Sequence, residues 1–293
     1  MDLLVFIVVY PFIWLISRLN FSLIYILSDL LYYPLYYVFS YRKKVVRKNL
    51  ELAFPHKSEQ ERRIIEKENF RNLTDIFLET FKSTNIKEDE LKKRFTFKNP
   101  ELLEKIYKNN QDVIVMCSHY CSWEWVFVID RITDFKINAI YKQLSNKYFD
   151  KWTKTRRSQY NAHMIKTKDT FREISKLSKS KDLNFYGFAS DQSPKKSKAV
   201  YWSNFLNNHV PIHTGAEIIA KKYNMALVFM DVQKIKRGFY EASFTLMTDK
   251  PNDFKNYEIT DEYIKLVERQ VESKPEYYTW THRRFKHRKT KPV

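Results

Sequence analysis

From Leu3 to Ser40 the chain is apolar almost throughout, and its only formally charged residues there are Arg18 and Asp29. The first run, LLVFIVVYPFIWLIS from Leu3 to Ser17, is short for a bilayer span. It is followed by FSLIYILSDLLYYPLYYVFS from Phe21 to Ser40. The pattern predicts an N-terminal apolar membrane helix over residues 1–41, as one tilted span, a hairpin or an anchor lying in the interface. No basic stretch precedes the apolar run and its apolar character outlasts a signal-peptide core, so the segment is expected to be retained. Directly after it, Tyr41-Arg42-Lys43-Lys44-Val45-Val46-Arg47-Lys48 carries five basic residues. By the positive-inside rule this flank faces the cytoplasm.

Beyond the flank, the period changes. Ser58-x-x-Glu61 is a capping-box signal for a helix over residues 58–82, with Ile65, Leu73, Phe77 and Phe81 as its expected buried stripe. Apolar runs at 112–118, 137–141, 183–189 and 225–231 have the length and character of strands, and helical patterns lie between them at 147–160, 170–178 and 214–223. This alternation predicts an α/β fold, a central mixed sheet flanked by helices. No repeat or low-complexity linker divides the chain, so residues 42–293 are expected to form one cytoplasmic domain. It ends in a basic tail: residues 282–291 hold six Lys or Arg, a composition typical of a solvated end or of an anionic-surface contact.

Composition narrows the chemistry. With 3 glycines in 293 residues, Gly-rich phosphate loops are excluded and no nucleotide cofactor is indicated. A formal net charge of +18 attracts nucleic acid, an anionic membrane or an acidic protein, and the N-terminal segment favours the membrane.

The candidate chemistry sits in HYCSWE, His119 to Glu124, directly behind the apolar run Val113-Ile114-Val115-Met116. On one continuous α-helix the five-residue spacing would turn through about 500° and leave His119 and Glu124 roughly 140° apart. If the strand ends near Ser118 and a helix starts near Ser122 as N-cap, the turn between them returns the carboxylate to the imidazole. The pair then has the form of a general base and its orienter, without a protein nucleophile beside it, which implies that the base activates a hydroxyl of a substrate. Cys117 and Cys121 flank the histidine. Zinc is not expected, since a structural site takes four ligands and no second Cys/His pair answers this one. Cys121 as an acylated nucleophile is the alternative to direct transfer, against small-residue packing in the turn.

At HYCSWEW the chain resembles the HxxxxD/E acyltransferases, and specifically the lipid A biosynthesis acyltransferase family of lauroyl/myristoyl type. The resemblance runs in order through Asn49-Leu50 with Phe54-Pro55, HYCSWEW, Tyr141 to Trp152 with Arg156-Arg157, Asp191-Gln192-Ser193-Pro194, Gly215-Ala216-Glu217 with Ala220, and Trp280 to Lys286. It implies a glycerolipid acyltransferase-like fold at the cytoplasmic face of the inner membrane. The reaction implied moves a fatty acyl chain from a thioester, typically of acyl carrier protein, to a hydroxyl of an anionic lipid acceptor, the lipid A precursor. His119 would take the hydroxyl proton and Glu124 would orient the imidazole. Arg156 or Arg157 would face the oxyanion. Asp191 and Gln192 would lie in the site, Asp191 bonded to the arginines or to the acceptor. Trp123 and Trp125 would pack in the core or line an acyl channel. Family members often carry glycine and asparagine within the motif, where this chain has Cys121 and Ser122. That departure bears on which acceptor the turn admits.

Neither a metal nor a bound cofactor is implied, and nucleic acid is not the expected partner. The competing readings are an HxxxxD/E acyltransferase for a glycerolipid or aminolipid, and a non-catalytic membrane-anchored protein that binds anionic lipid or nucleic acid through its basic aromatic surface.

Overall fold

A computed structural model describes residues 1–289. The N-terminal segment folds as two helices, α1 (Asp2–Arg18) and α2 (Phe21–Tyr33), the second continued by a π-helical turn (Pro34–Val38). Then come α3 (Lys43–Ala53), α4 (Glu59–Lys82), α5 (Glu88–Arg94), β1 (Phe95–Phe97), α6 (Glu101–Lys108) and β2 (Val113–Cys117). The central part holds β3 (Lys136–Tyr141), α7 (Lys147–Ser158), β4 (His163–Lys166), α8 (Thr170–Leu177) and β5 (Asn184–Ala189). A small hairpin of β6 (Trp202–Phe205) and β7 (Asn208–Pro211) precedes α9 (Gly215–Tyr223), β8 (Ala226–Lys236), β9 (Phe239–Thr248) and α10 (Glu258–Ser273).

Seven strands make one sheet in the order β1-β9-β8-β2-β5-β3-β4. Only β8 and β9 pair antiparallel, so the sheet is mixed, as expected. The predicted strands and helices of this region lie where their patterns put them, because strands covered on both faces read as continuous apolar runs. Val113 to Met116 of β2 are at most 1% exposed. The elements not predicted include α3, α5, α6 and the ten-residue β9, together with several short strands. Strands β1, β4, β6 and β7 have three or four residues, too few for a period to show. By contrast, α10 carries a readable stripe in Ile259, Tyr263, Ile264, Val267 and Val271, all buried.

Helix α4 begins as predicted. Glu61 N–H donates to Ser58 Oγ (3.2 Å) and Ser58 N–H to Glu61 Oε2 (2.7 Å), a reciprocal cap worth about 1 kcal/mol. Its buried face, however, is not the apolar stripe. Phe77 is 46% exposed, whereas Glu66, Asn69, Asn72, Asp75 and Glu79 are buried. These polar groups are buried because partners from distant segments meet them. Tyr36 donates to Glu66 (2.7 Å), Ser28 to Asp75 (2.8 Å), and both Tyr25 (3.0 Å) and Tyr240 (2.8 Å) to Glu79. Arg237 pairs with Asp75 at 2.6 Å and with Asp29 at 2.7 Å. A buried carboxylate is tolerated when paired in this way.

The same contacts fasten α2 to the body of the protein. At the β8–β9 turn, Gly238 has φ +74°, and a Cβ there would lie 1.8 Å from the Tyr25 hydroxyl, so both conformation and space call for glycine. Helix α1 reaches α7, where Phe6 meets Tyr148 and Phe149. Ile13 and Ser17 of α1, and Ile24, Ser28 and Tyr32 of α2, are the buried positions. The opposite faces are apolar and exposed, with Leu4, Phe12 and Leu30 each more than 60% accessible. Residues Phe21–Val38 form a helix long and apolar enough by composition to cross a membrane.

Candidate active site

Strands β2 and β5 are parallel neighbours in which Cys117 pairs with Ala189. Counting two residues past each partner arrives at His119 and Asp191, side by side at the C-terminal strand ends where open α/β sheets bind their ligands. Asp191 Oδ1 lies 2.7 Å from His119 Nδ1 and accepts the His119 backbone N–H at 3.1 Å. An ionised carboxylate only accepts, so Nδ1 carries the proton and Nε2 is left as a base. Burial pulls the imidazole pKa down, but the Asp191 charge and hydrogen bond more than offset this, and the net shift is upward. For Asp191, burial favours the neutral acid, and the His119 partner outweighs it to hold the carboxyl below its usual range.

Glu124 is therefore not the partner of His119. It is buried and held by both Arg156 and Arg157, whose guanidinium groups contact its two carboxylate oxygens. Burial alone would raise the Glu124 pKa, and the charges of Arg157 and Arg156 lower it instead. The helix expected from Ser122 is also absent. The chain continues as a 3-10 segment, Trp125–Arg131, and Ser122 Oγ is buried without a hydrogen-bond partner among the described residues. The carboxylate thus turns toward the last turn of α7, where two cations offset its desolvation.

The two arginines have different surroundings. Arg156 is almost fully buried and donates to the Thr80 carbonyl at 2.6 Å. Arg157 is more open, and its charge reaches His119, where it opposes protonation of the ring. Asp191 bonds neither arginine, which corrects that expectation, and Gln192 beside it is half-buried and outside both clusters.

The C-terminal segment closes the site from behind. Thr279 donates to the His119 carbonyl through its N–H (3.0 Å) and Oγ1 (2.8 Å), and Cys121 N–H donates to the Tyr277 carbonyl (3.1 Å). Asn49 donates to the carbonyls of Trp280 (2.8 Å) and His282 (2.7 Å), tying α3 to the same segment. Tyr278, Trp280, Arg284 and Phe285 are buried, so the start of the basic stretch is core rather than a solvated tail. Its last two positions, 290 and 291, lie outside the described residues.

Cys121 occupies the left-handed region at φ +52°, a conformation that favours glycine. Burial pushes its thiol well above the ordinary range, and Cys117 is pushed up to about 12. A thiol held protonated and sealed in the core is no nucleophile. Trp125 is core, packed against Phe21 and Tyr240, while the Trp123 ring stands edge-on to His119 with centroids 5.9 Å apart. Among the described residues no group of three or more His, Cys, Asp or Glu is arranged to hold a metal ion.

The mixed α/β sheet thus presents an aspartate-paired histidine at its C-terminal strand ends, followed in the chain by a glutamate held by two arginines, a set of groups suited to acid–base chemistry on a substrate. The chain belongs to the bacterial lipid A biosynthesis acyltransferase family, which matches residues 3–287, and it is an acyltransferase. It is 27% identical over 259 residues to the lipid A biosynthesis palmitoleoyltransferase of Escherichia coli K12, covering 86% of this chain and 80% of that protein. It is 26% identical over 278 residues to the lipid A biosynthesis lauroyltransferase of the same organism, covering 94% and 89%. A lipid A biosynthesis acyltransferase of Haemophilus influenzae is 27% identical over 254 residues, covering 84% and 78%.

Proposed function

We propose that this enzyme moves a fatty acyl chain from an acyl carrier protein thioester to a hydroxyl of a lipid A precursor, by direct attack, at the cytoplasmic face of the inner membrane. The observation that carries the mechanism is the 2.7 Å contact between His119 Nδ1 and Asp191 Oδ1, which leaves Nε2 as the base. Nε2 removes the proton of the acceptor hydroxyl as its oxygen attacks the thioester carbonyl. Asp191 stabilises the imidazolium, a contribution of about 10² to 10⁴ in rate together with the base. Arg157, positioned by Glu124 and closer in charge to His119 than Arg156, faces the developing oxyanion. As the new C–O bond is retained, the C–S bond breaks and the thiolate takes the proton from the imidazolium. Attack on an activated thioester requires a base and an oxyanion partner, and the reading includes no cofactor or metal.

The net charge of +18 suits an acidic carrier protein and an anionic lipid, and makes nucleic acid unnecessary as a partner. Residues 1–41 are read as an anchor lying along the bilayer. At 17 residues, α1 is about 25 Å long, less than the roughly 30 Å hydrocarbon core. Within α2, Asp29 is paired to Arg237 of the β8–β9 turn, a contact that favours a face laid on the membrane over a helix threaded through it.

The test is His119→Ala in the full chain, assayed for transfer of labelled acyl groups into lipid and for sedimentation with vesicles. Transfer should fall at least about 10²-fold with vesicle binding unchanged. Undiminished transfer would exclude His119 as the base.

A further inference from the structure

Asp191 is 1% exposed, and the charge that compensates it on the His119 side is present only while the imidazole is protonated. In the resting base form the ring is neutral, and a lone buried carboxylate would tend to take up a proton. Two residues on from Asp191, Ser193 is bonded to Arg284 of the C-terminal segment, and Arg284 and Tyr278 lie within electrostatic reach of the carboxylate without an ion pair to it. His282, His213, Tyr263 of α10 and Cys117 of β2 complete its titratable surroundings. Burial lowers the pKa of both histidines, His282 to about 4, so neither carries charge near neutral pH. Arg157 acts on the His119 ring, and among the groups that act on Asp191 itself Arg284 is the positive charge that does not come and go with His119. Burial lowers its pKa too, but a guanidinium starts so high that it stays protonated.

Arg284 is itself 1% exposed, and its position is set by other contacts. Its Nη1 donates to Ser193 Oγ (3.3 Å) and to the Pro211 carbonyl (3.4 Å), Ser193 Oγ donates to the Arg284 carbonyl, and the guanidinium lies 4.7 Å over the Phe205 ring. Nε and Nη2 make no full hydrogen bond among the described residues, and neither does Asp191 Oδ2. The Tyr278 phenol faces both charges.

We propose that Arg284 is a positioning residue of this acyltransferase, a fixed buried charge that keeps Asp191 ionised behind His119 while the imidazole is neutral. The inference rests on His119 acting as the base. Removing a positive charge raises the proton affinity of the His119–Asp191 pair, so the base form would appear only at higher pH. A merely structural brace would, when removed, lower activity alike at every pH.

The experiment is the pH profile of kcat/KM for acyl transfer by the full chain, compared with Arg284→Met and Arg284→Lys. Arg284→Met should move the acid limb up by about half a unit or more, seen as an about threefold greater loss below the limb than on the plateau. Arg284→Lys, which keeps the charge, should retain the limb of the parent. A limb unmoved in folded Arg284→Met overturns the proposal. If Arg284→Met does not fold, Arg284→Lys decides: a retained limb supports the charge, and a displaced one overturns it. Failure of the base reading itself is separate, since His119→Ala would then retain activity.

Discussion

At the scale of single residues, the site turns on which carboxylate serves the histidine. Asp191 contacts the imidazole and Glu124 does not, and the two make different contributions. As the proposed general base His119 acts when neutral, and its raised pKa should then place the acid limb of the kcat/KM profile above the ordinary 6.5. Asp191→Asn removes the attraction that outweighs burial, so the limb should fall below that value, with activity down about 10²-fold or more. Glu124→Gln should cost about 10² to 10³ through the arginines while leaving the limb in place. The reverse assignment of the two limb shifts would refute the pairing. Cys121→Ala should keep turnover within about threefold, because the thiol is buried and protonated. Near-total loss would revive a covalent acyl-enzyme.

Among the elements, the two N-terminal helices each have a buried and an exposed face. Ile24 faces the body of the protein, and Ile24→Ala should lower stability by about 2–5 kcal/mol. Ile26 and Leu30 are exposed on the other face. Replacing both with serine should weaken vesicle binding about tenfold or more, with Tm hardly changed, as measured by sedimentation and thermal melts. Equal vesicle binding would place the membrane contact elsewhere. Helix α4 shows where sequence patterning stops. Its start is legible from Ser58 and Glu61 alone, because a cap is made by neighbours. Its buried face is not, because Asp75 and Glu79 are buried by Arg237, Tyr25 and Tyr240, partners that only the fold brings near.

Over the whole molecule the same division holds. The apolar runs give β2, β3, β5 and β8 of the seven-stranded sheet, and the ordered blocks give the family, but HxxxxE spacing draws attention to the wrong carboxylate. The true partner follows from strand pairing: once Cys117 is opposite Ala189, His119 must stand beside Asp191. No linear motif carries that register. The C-terminal block is similar, since its basic composition points to solvent while Trp280 and Arg284 close the site from within. The chain is an acyltransferase of the lipid A family, and the proposed mechanism sets its base near a membrane surface. The most direct measurement supplies the purified full chain with a lipid A precursor and an acyl carrier protein thioester, then follows lipid mass and free thiol together. The lipid should gain one acyl group in place of a hydroxyl hydrogen for each thiol released, and His119→Ala should abolish both. Thiol release without an acylated lipid, or no reaction by folded protein, would contradict the account.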